Sequence, residues 1–118
     1  MLSNSGVNKV ILLGIAEGPF EQKMVGGLWF LCFSIMTAEQ MKKGTNYVEH
    51  RESHRIRIPE KLFTPEVTGL VNGITLFIEG RISTTSYIDE QRIKRYNLDI
   101  VANKVDVLGT VDVSQIKS

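Results

Sequence analysis

Ile74-Thr-Leu-Phe-Ile-Glu-Gly-Arg-Ile82, continued by Ser83-Thr-Thr-Ser-Tyr-Ile88, is the stretch that decides the fold. Ile74, Leu76 and Ile78 alternate with Thr75, Phe77 and Glu79, the period of two that sets one strand face in a core. Gly80 interrupts this strand without a turn partner, which predicts a bulge or a sharp bend at a barrel corner. Past it, Arg81, Ser83, Thr85 and Tyr87 are polar or amphipathic, as on a solvated hairpin arm. The return arm, 93–101, sets Tyr96, Leu98 and Ile100 on one face and Arg95, Asn97 and Asp99 on the other. Two long antiparallel arms with apolar bases result.

The size and composition of the chain bound what surrounds this hairpin. A length of 118 residues suits one domain, able to bury roughly two thirds of its unfolded surface. Apolar residues make up 42% and charged residues 23%, an ordinary globular balance. A formal charge of +1 gives no global attraction to nucleic acid, so any such binding needs a local patch. Cys32 is the single cysteine, which excludes an internal disulfide and a thiolate metal cluster and fits a reducing compartment. Met1-Leu-Ser-Asn-Ser-Gly6 lacks the basic start and apolar run of a signal peptide. No apolar stretch approaches the ~20 residues of a membrane helix. The expectation is a soluble cytoplasmic protein with no membrane contact.

Upstream of the hairpin, 7–13 reads as a first strand. Val10-Ile-Leu-Leu13 is apolar on both faces, so it is expected to be a central strand or one whose outer face meets another subunit, with Val10 and Leu12 as the interface candidates. Ala16-Glu-Gly-Pro-Phe20 reads as a turn and Gly26-Gly27 as a loop. A second strand over 28–38 alternates Leu31, Phe33 and Ile35 with Cys32 and Ser34, and 40–46 reads as a flexible basic loop. A third strand, 47–58, carries Tyr47, Arg51, Ser53, Arg55 and Arg57 on its odd face. Thr64 as N-cap, Pro65 at the first position and Val67, Leu70 and Val71 on one face predict a helix of about two turns ended by Gly73. After the hairpin, 104–108 reads as a last short strand. Three strands, one short helix and two further strands predict an all-β fold, a five-stranded OB-type Greek-key barrel with a long hairpin between its last two main strands. A β-sandwich would also alternate but does not usually insert one helix there. The expected division is an OB domain over 1–109 and a short polar tail over 110–118.

At this level the residues resemble a known family, the bacterial-type single-stranded DNA-binding proteins. The carriers are Gly6-Val-Asn-Lys-Val-Ile-Leu-Leu-Gly14, Phe33-Ser-Ile-Met-Thr-Ala-Glu39, Glu52-Ser-His-Arg-Ile56, the stretch from Gly73 to Gly80, and Asp106-Val-Leu-Gly109. They occur in the family's order over about 6–109. The resemblance implies an OB barrel, a homo-oligomer (tetramer or dimer), and sequence-independent binding of single-stranded DNA in replication, recombination or repair. It also implies replication proteins as partners and a nucleoid-associated location. This chain departs from the pattern where Met41, Ser53 and Pro59 stand in place of base-stacking aromatics. Tyr87 keeps an aromatic, whereas Ser83, Thr85 and Ser86 replace residues that are often basic. The family's acidic C-terminal tail has no counterpart in Gln115-Ile-Lys-Ser118.

Single strands bind such barrels through a positive groove for phosphates and aromatic faces for bases. Arg51, Arg55 and Arg57 on one strand face, Lys42 and Lys43 before them, and Arg81 at the hairpin base form the expected phosphate track, with Tyr87 as the stacking candidate. Trp29 and Phe30 are expected in the core or at an interface. His50 and His54 share a strand face but lie about 13 Å apart at ~3.3 Å per residue, too far for one metal. The resemblance places His54 at a subunit contact. No cofactor is expected and no catalytic residue: there is no Gly-x-x-x-x-Gly-Lys loop, Cys32 reads as a core thiol, and Asp89 and Glu90 at a hairpin tip have no reason for shifted pKa values. Two other readings use the same surface: a primosomal-type assembly or adaptor module with weak or lost nucleic-acid binding, and an RNA binder.

Overall fold

The computed structural model describes residues 5–109, so the expected polar tail over 110–118 lies outside the described residues. Five strands, β1 (Val10–Val25), β2 (Leu28–Lys43), β3 (Asn46–Pro59), β4 (Thr75–Ile88) and β5 (Lys94–Gly109), close into a barrel in the order β1-β2-β3-β5-β4. All neighbours are antiparallel except β3 and β5, which run parallel at Ile56–Ile100 and Arg57–Val101. The helix lies between β3 and β4, completing the predicted OB-type Greek key.

The alternating positions supply the core. Leu31, Phe33 and Ile35 from β2, Ile56 and Ile58 from β3, Leu76 and Ile78 from β4, and Ile100 and Ala102 from β5 are buried together. Val67 of the helical segment and Leu70 just beyond it join this core. At Gly80 the register of β4 against β5 shifts, and a Cβ there would collide with the Val101 backbone carbonyl. The predicted bend is thus a place where two backbones come too close for any side chain. Gly26 and Gly27, both at positive φ, form the two-residue turn that joins β1 to β2.

Four expectations need correction. The turn expected at 16–20 is a bulge within one continuous β1: the register skips between Glu17 and Glu21, and Phe20 turns inward to stack on Phe33 at 5.4 Å. The loop expected at 40–46 is a paired arm that runs to Lys43 and Asn46. The helix α1 covers only Pro65–Thr68. Thr64 caps it by accepting from the Val67 N–H at 3.2 Å, but Gly69 ends it, leaving Val71 exposed. Gly73 instead donates its N–H to the Ala16 carbonyl at 3.0 Å. Finally, 104–108 belongs to β5 itself, bent where Asn103 has no partner between Ala102 and Lys104.

Candidate nucleic-acid interface

Because β3 and β5 are parallel, the hairpin tips of β2–β3 and β4–β5 leave the barrel in the same direction. Register decides which side chains share the outer face of this surface. On β2 and β3 the pairs Cys32–Arg57, Ser34–Arg55, Met36–Ser53, Ala38–Arg51 and Lys42–Tyr47 stand side by side. Arg57 adjoins Val101, and across β5 and β4 the same face continues as Val101–Arg81, Asp99–Ser83, Asn97–Thr85 and Arg95–Tyr87. Arg51, Arg55, Arg57, Lys42, Arg81 and Tyr87, chosen from sequence, therefore lie on one continuous sheet face. Lys43 falls on the opposite face, at the arm's tip. Both lysines are strand residues rather than loop residues.

Charge is distributed unevenly over that face. Asp99, 1% exposed, sits where the arms diverge. Its Oδ1 accepts from Arg55 Nε at 3.0 Å and its Oδ2 from Arg57 Nη2 at 2.8 Å. A carboxylate removed from water needs such partners, so this cluster is part of the barrel's own structure. Arg57, with its side chain 17% exposed, is committed to it. Arg55 is 58% exposed and also donates from Nη1 to Asn97 Oδ1 at 3.3 Å, so β5 holds it with its outer edge in solvent. Arg51 pairs with Glu49 at 3.2 Å in an exposed contact, which a phosphate can displace. Among the described residues, Lys42, Lys43 and Arg81 form no ion pair.

A concavity of about 200 Å³ lies above Cys32 and Ser34, walled by Lys23, Glu21, Arg55, Arg57 and Asp99. Cys32 therefore belongs to this outer face and not to the core. Burial pushes its thiol up, against the opposing pull of Arg57 and Lys23. Tyr87 and Tyr47 are both exposed on the arms and available for stacking. At the β4–β5 tip, Asp89 is more organised than its sequence suggests. Its Oδ2 accepts from Arg95 Nε at 2.8 Å, and its Oδ1 accepts the N–H groups of Gln91 and Ile93 at 2.9 Å each. The Arg95 hydrogen bond, with help from these backbone donors, holds the Asp89 carboxyl below the usual carboxylate range.

The remaining candidates fall elsewhere. Val10 and Leu12 pack inward against the core, so the outward apolar row of β1 is Ile11, Leu13 and Ile15, all exposed. His54, half-buried on the inner-facing side of β3, shares a hydrogen bond of 2.9 Å with Thr37 Oγ1. His50 lies 3.7 Å from Glu52 at the surface. Among the described residues, no three His, Cys, Asp or Glu side chains converge as a metal site would need. No helix among the described residues is long and apolar enough to cross a membrane.

Sequence reasoning missed one residue of this face. Asp99 reads as a solvated arm residue. The signal that could have found it is its place two positions before the parallel junction, opposite a strand carrying two arginines. Of the two places expected for Trp29 and Phe30, the core is excluded: neither belongs to the core cluster, and Phe30 is followed, not preceded, by buried residues, as is the 40%-exposed Trp29. Their position next to the Gly26-Gly27 turn, before the first buried residue of β2, Leu31, was the available clue.

Residues 7–108 match the Single-strand binding protein family. The single-stranded DNA-binding protein of Neisseria meningitidis serogroup A is 36% identical over 107 residues, 87% of this chain and 60% of the relative. Single-stranded DNA-binding protein 1 of Chlorobaculum tepidum is 33% identical over 110 residues, 91% of this chain and 68% of the relative. This chain thus spans about 60% of the length of the first curated relatives it matches. Among solved structures, the Plasmodium falciparum protein in complex with single-stranded DNA superposes with a TM-score of 0.76 at 19% identity, covering 93% of this chain and 100% of that one. A Thermus aquaticus single-stranded DNA binding protein gives 0.71 at 22% identity, covering 87% and 51%. At these identities the structures show a shared fold.

Proposed function

This chain belongs to the single-strand binding protein family, and from that premise we propose that it binds single-stranded DNA without sequence preference, through phosphate neutralisation with limited aromatic stacking. One observation carries the reading: the cations and the tyrosine singled out from sequence share one sheet face that spans both projecting arms. Lys42, Arg51, Arg55 and Arg81 contact phosphates. Arg57 shapes the surface through Asp99, and Tyr87 stacks a base. Lys43 adds charge at the arm tip. The work done is binding, in replication, recombination or repair in the cytoplasm, with replication proteins as further partners and no chemical step on the DNA.

The protein acts as a homo-oligomer, a dimer or tetramer. The exposed row of Ile11, Leu13 and Ile15 supports this, because adjacent apolar side chains on one strand gain by being covered. His54 adds a polar contact to the assembly. Size-exclusion chromatography with light scattering tests it: a multiple of the 13.3 kDa chain that drops in mass with Leu13→Glu agrees, and a monomer at all concentrations contradicts it. For the DNA itself, anisotropy of a labelled dT oligomer rises on adding protein at low salt. No change at micromolar protein refutes DNA binding and leaves the barrel as an assembly module. Equal competition by poly-U extends the ligand to RNA.

A further inference from the structure

Past Gly80, the edge of β4 that faces β1 in the barrel has no strand beside it. β1 pairs with β4 only from Thr75 to Gly80. Asn8 then supplies one last rung through its side chain: its Nδ2 donates to the Ile82 carbonyl at 2.8 Å, and its Oδ1 accepts the Ile82 N–H at 2.9 Å. Ile82 therefore turns both backbone groups away from β5, and by alternation so do Thr84, Ser86 and Ile88. Among the described residues nothing pairs with those groups, and 84–88 is exposed throughout. An open edge is a template for another strand, and proteins usually guard it with lysine, proline or a bulge. This edge has no such guard: Ser83-Thr-Thr-Ser-Tyr-Ile88 carries neither charge nor proline, and its register against β5 is unbroken.

We propose that the free edge of β4 pairs antiparallel with the same edge of a second copy, joining two binding faces into one sheet. The contact is separate from the apolar row of β1, and its role in joining DNA faces rests on the single-strand reading above. The free groups set the register. Ser86 against Ser86 of the second copy on a two-fold axis, with Thr84 against Ile88 on either side, satisfies every free N–H and C=O of the three residues. A shift toward the arm's base runs into the Asn8 rung. Charge supports a second copy as the occupant. Glu90 directly follows β4 at the tip and Arg81 stands at the base, neither in an ion pair among the described residues. Antiparallel pairing lays each tip against the other copy's base, so opposite charges meet at both ends. The cations Arg92, Lys94 and Arg95 lie past the turn or on β5, one strand removed from this edge. Directly opposite residues share a face, so Tyr87 meets Thr85 of the second copy on the side that carries Arg55 and Arg95. The cation face runs from one copy into the next without changing side, and binding along a long single strand is cooperative as a result.

The contact is read first without DNA. Opposed residues of a hydrogen-bonded antiparallel pair have Cα atoms about 5.5 Å apart, within the span of a disulfide. The chain carrying Cys32→Ser and Ser86→Cys is oxidised with diamide and run on a non-reducing gel. Cys32→Ser with Asn46→Cys, at the tip of the other arm, is the collision control. The Ser86→Cys chain forms a crosslinked dimer at least about 10-fold faster than the control, as a held pair outpaces chance encounters. Two edge variants then test the coupling to DNA. Ser86→Pro removes the outward N–H and leaves the ladder to β5 whole, and Ser86→Lys sets two like charges against each other on the axis. Both keep wild-type affinity for a short labelled dT oligomer and lose the steepness of binding to a long one. Crosslinking no faster than the control overturns the contact and leaves the edge to a strand of a partner protein. Crosslinking with wild-type steepness in both variants overturns the joining of the faces. If wild type binds neither oligomer, the single-strand reading fails, and the crosslinking rate by itself decides the contact.

Discussion

Two pairs of cations on or beside one sheet face meet opposite circumstances. Arg55 and Arg57 close on the buried Asp99, whereas Arg81 and Lys61 line a cleft next to Phe30 and Pro59 with no ion pair among the described residues. In sequence all four look alike, as basic residues on or beside strands. The difference lies in what each charge already touches. A carboxylate that is 1% exposed cannot give up these arginines for a passing phosphate, because its desolvated charge would be left alone, so only the solvent-facing edge of Arg55 is left to meet one. Basic residues on a binding face are therefore of two kinds, those that build the surface and those that are free to bind.

The largest effect should come from breaking the first region. Asp99→Ala leaves two arginines facing an empty site and costs about 3 kcal/mol, the low end for a broken buried pair because Arg55 reaches solvent. Urea unfolding measures it, and a loss below about 0.5 kcal/mol would return Arg57 to the phosphate track. Gly80→Ala comes next. It forces a Cβ against the Val101 carbonyl, beside the very pair that carries Arg81, and should cost about 1–3 kcal/mol, the usual range for overpacking.

Substitution of single cations sharpens the contrast in binding. Arg81→Ala should leave the melting temperature nearly unchanged and reduce the salt slope of DNA binding by about 0.7. Arg57→Ala should do the reverse, lowering stability with little change in slope. Equal effects of the two on either readout would erase the distinction. The smallest expected effect concerns another carboxylate–arginine pair, Asp89 with Arg95, at the exposed arm tip. The Asp89 carboxyl is depressed in the folded chain, so its contribution is present above the ordinary carboxylate range near pH ~4 and is lost as pH falls through its lowered value. Amide NMR signals of Gln91 and Ile93 should therefore stay unchanged down to about pH 4 and move only below it. In Arg95→Ala they should move at higher pH.

Much of the fold was legible because period-two alternation is enforced by burial: 31–35 and 74–78 each place their apolar set inside the barrel. Gly80 was legible for the same kind of reason, since a lone glycine in a strand implies a close backbone. The long bulge in β1 was not. Gly18 and Pro19 carry the chemistry of a turn, and what keeps β1 running is tertiary: Phe20 on Phe33, and Asn72 Oδ1 accepting the Gly18 N–H at 2.6 Å across 54 positions. The arm expected as a loop at 40–46 was hidden because both its faces are solvated, which removes the alternation that marks a strand. The site followed the same logic. Parity on β3 and β4 grouped Arg51, Arg55, Arg57, Arg81 and Tyr87 correctly by face, but only the parallel β3–β5 junction brought Asp99 under two of them.

The most direct test of the account is the salt dependence of dT binding by the full chain, measured by anisotropy from low to moderate salt. Four phosphate contacts (Lys42, Arg51, the outer edge of Arg55, and Arg81) predict a linear fall of log affinity against log salt, with a slope of roughly −3 at ~0.7 per contact. Binding that is tight but indifferent to salt, or absent at the lowest salt, would contradict a phosphate-led single-strand binder.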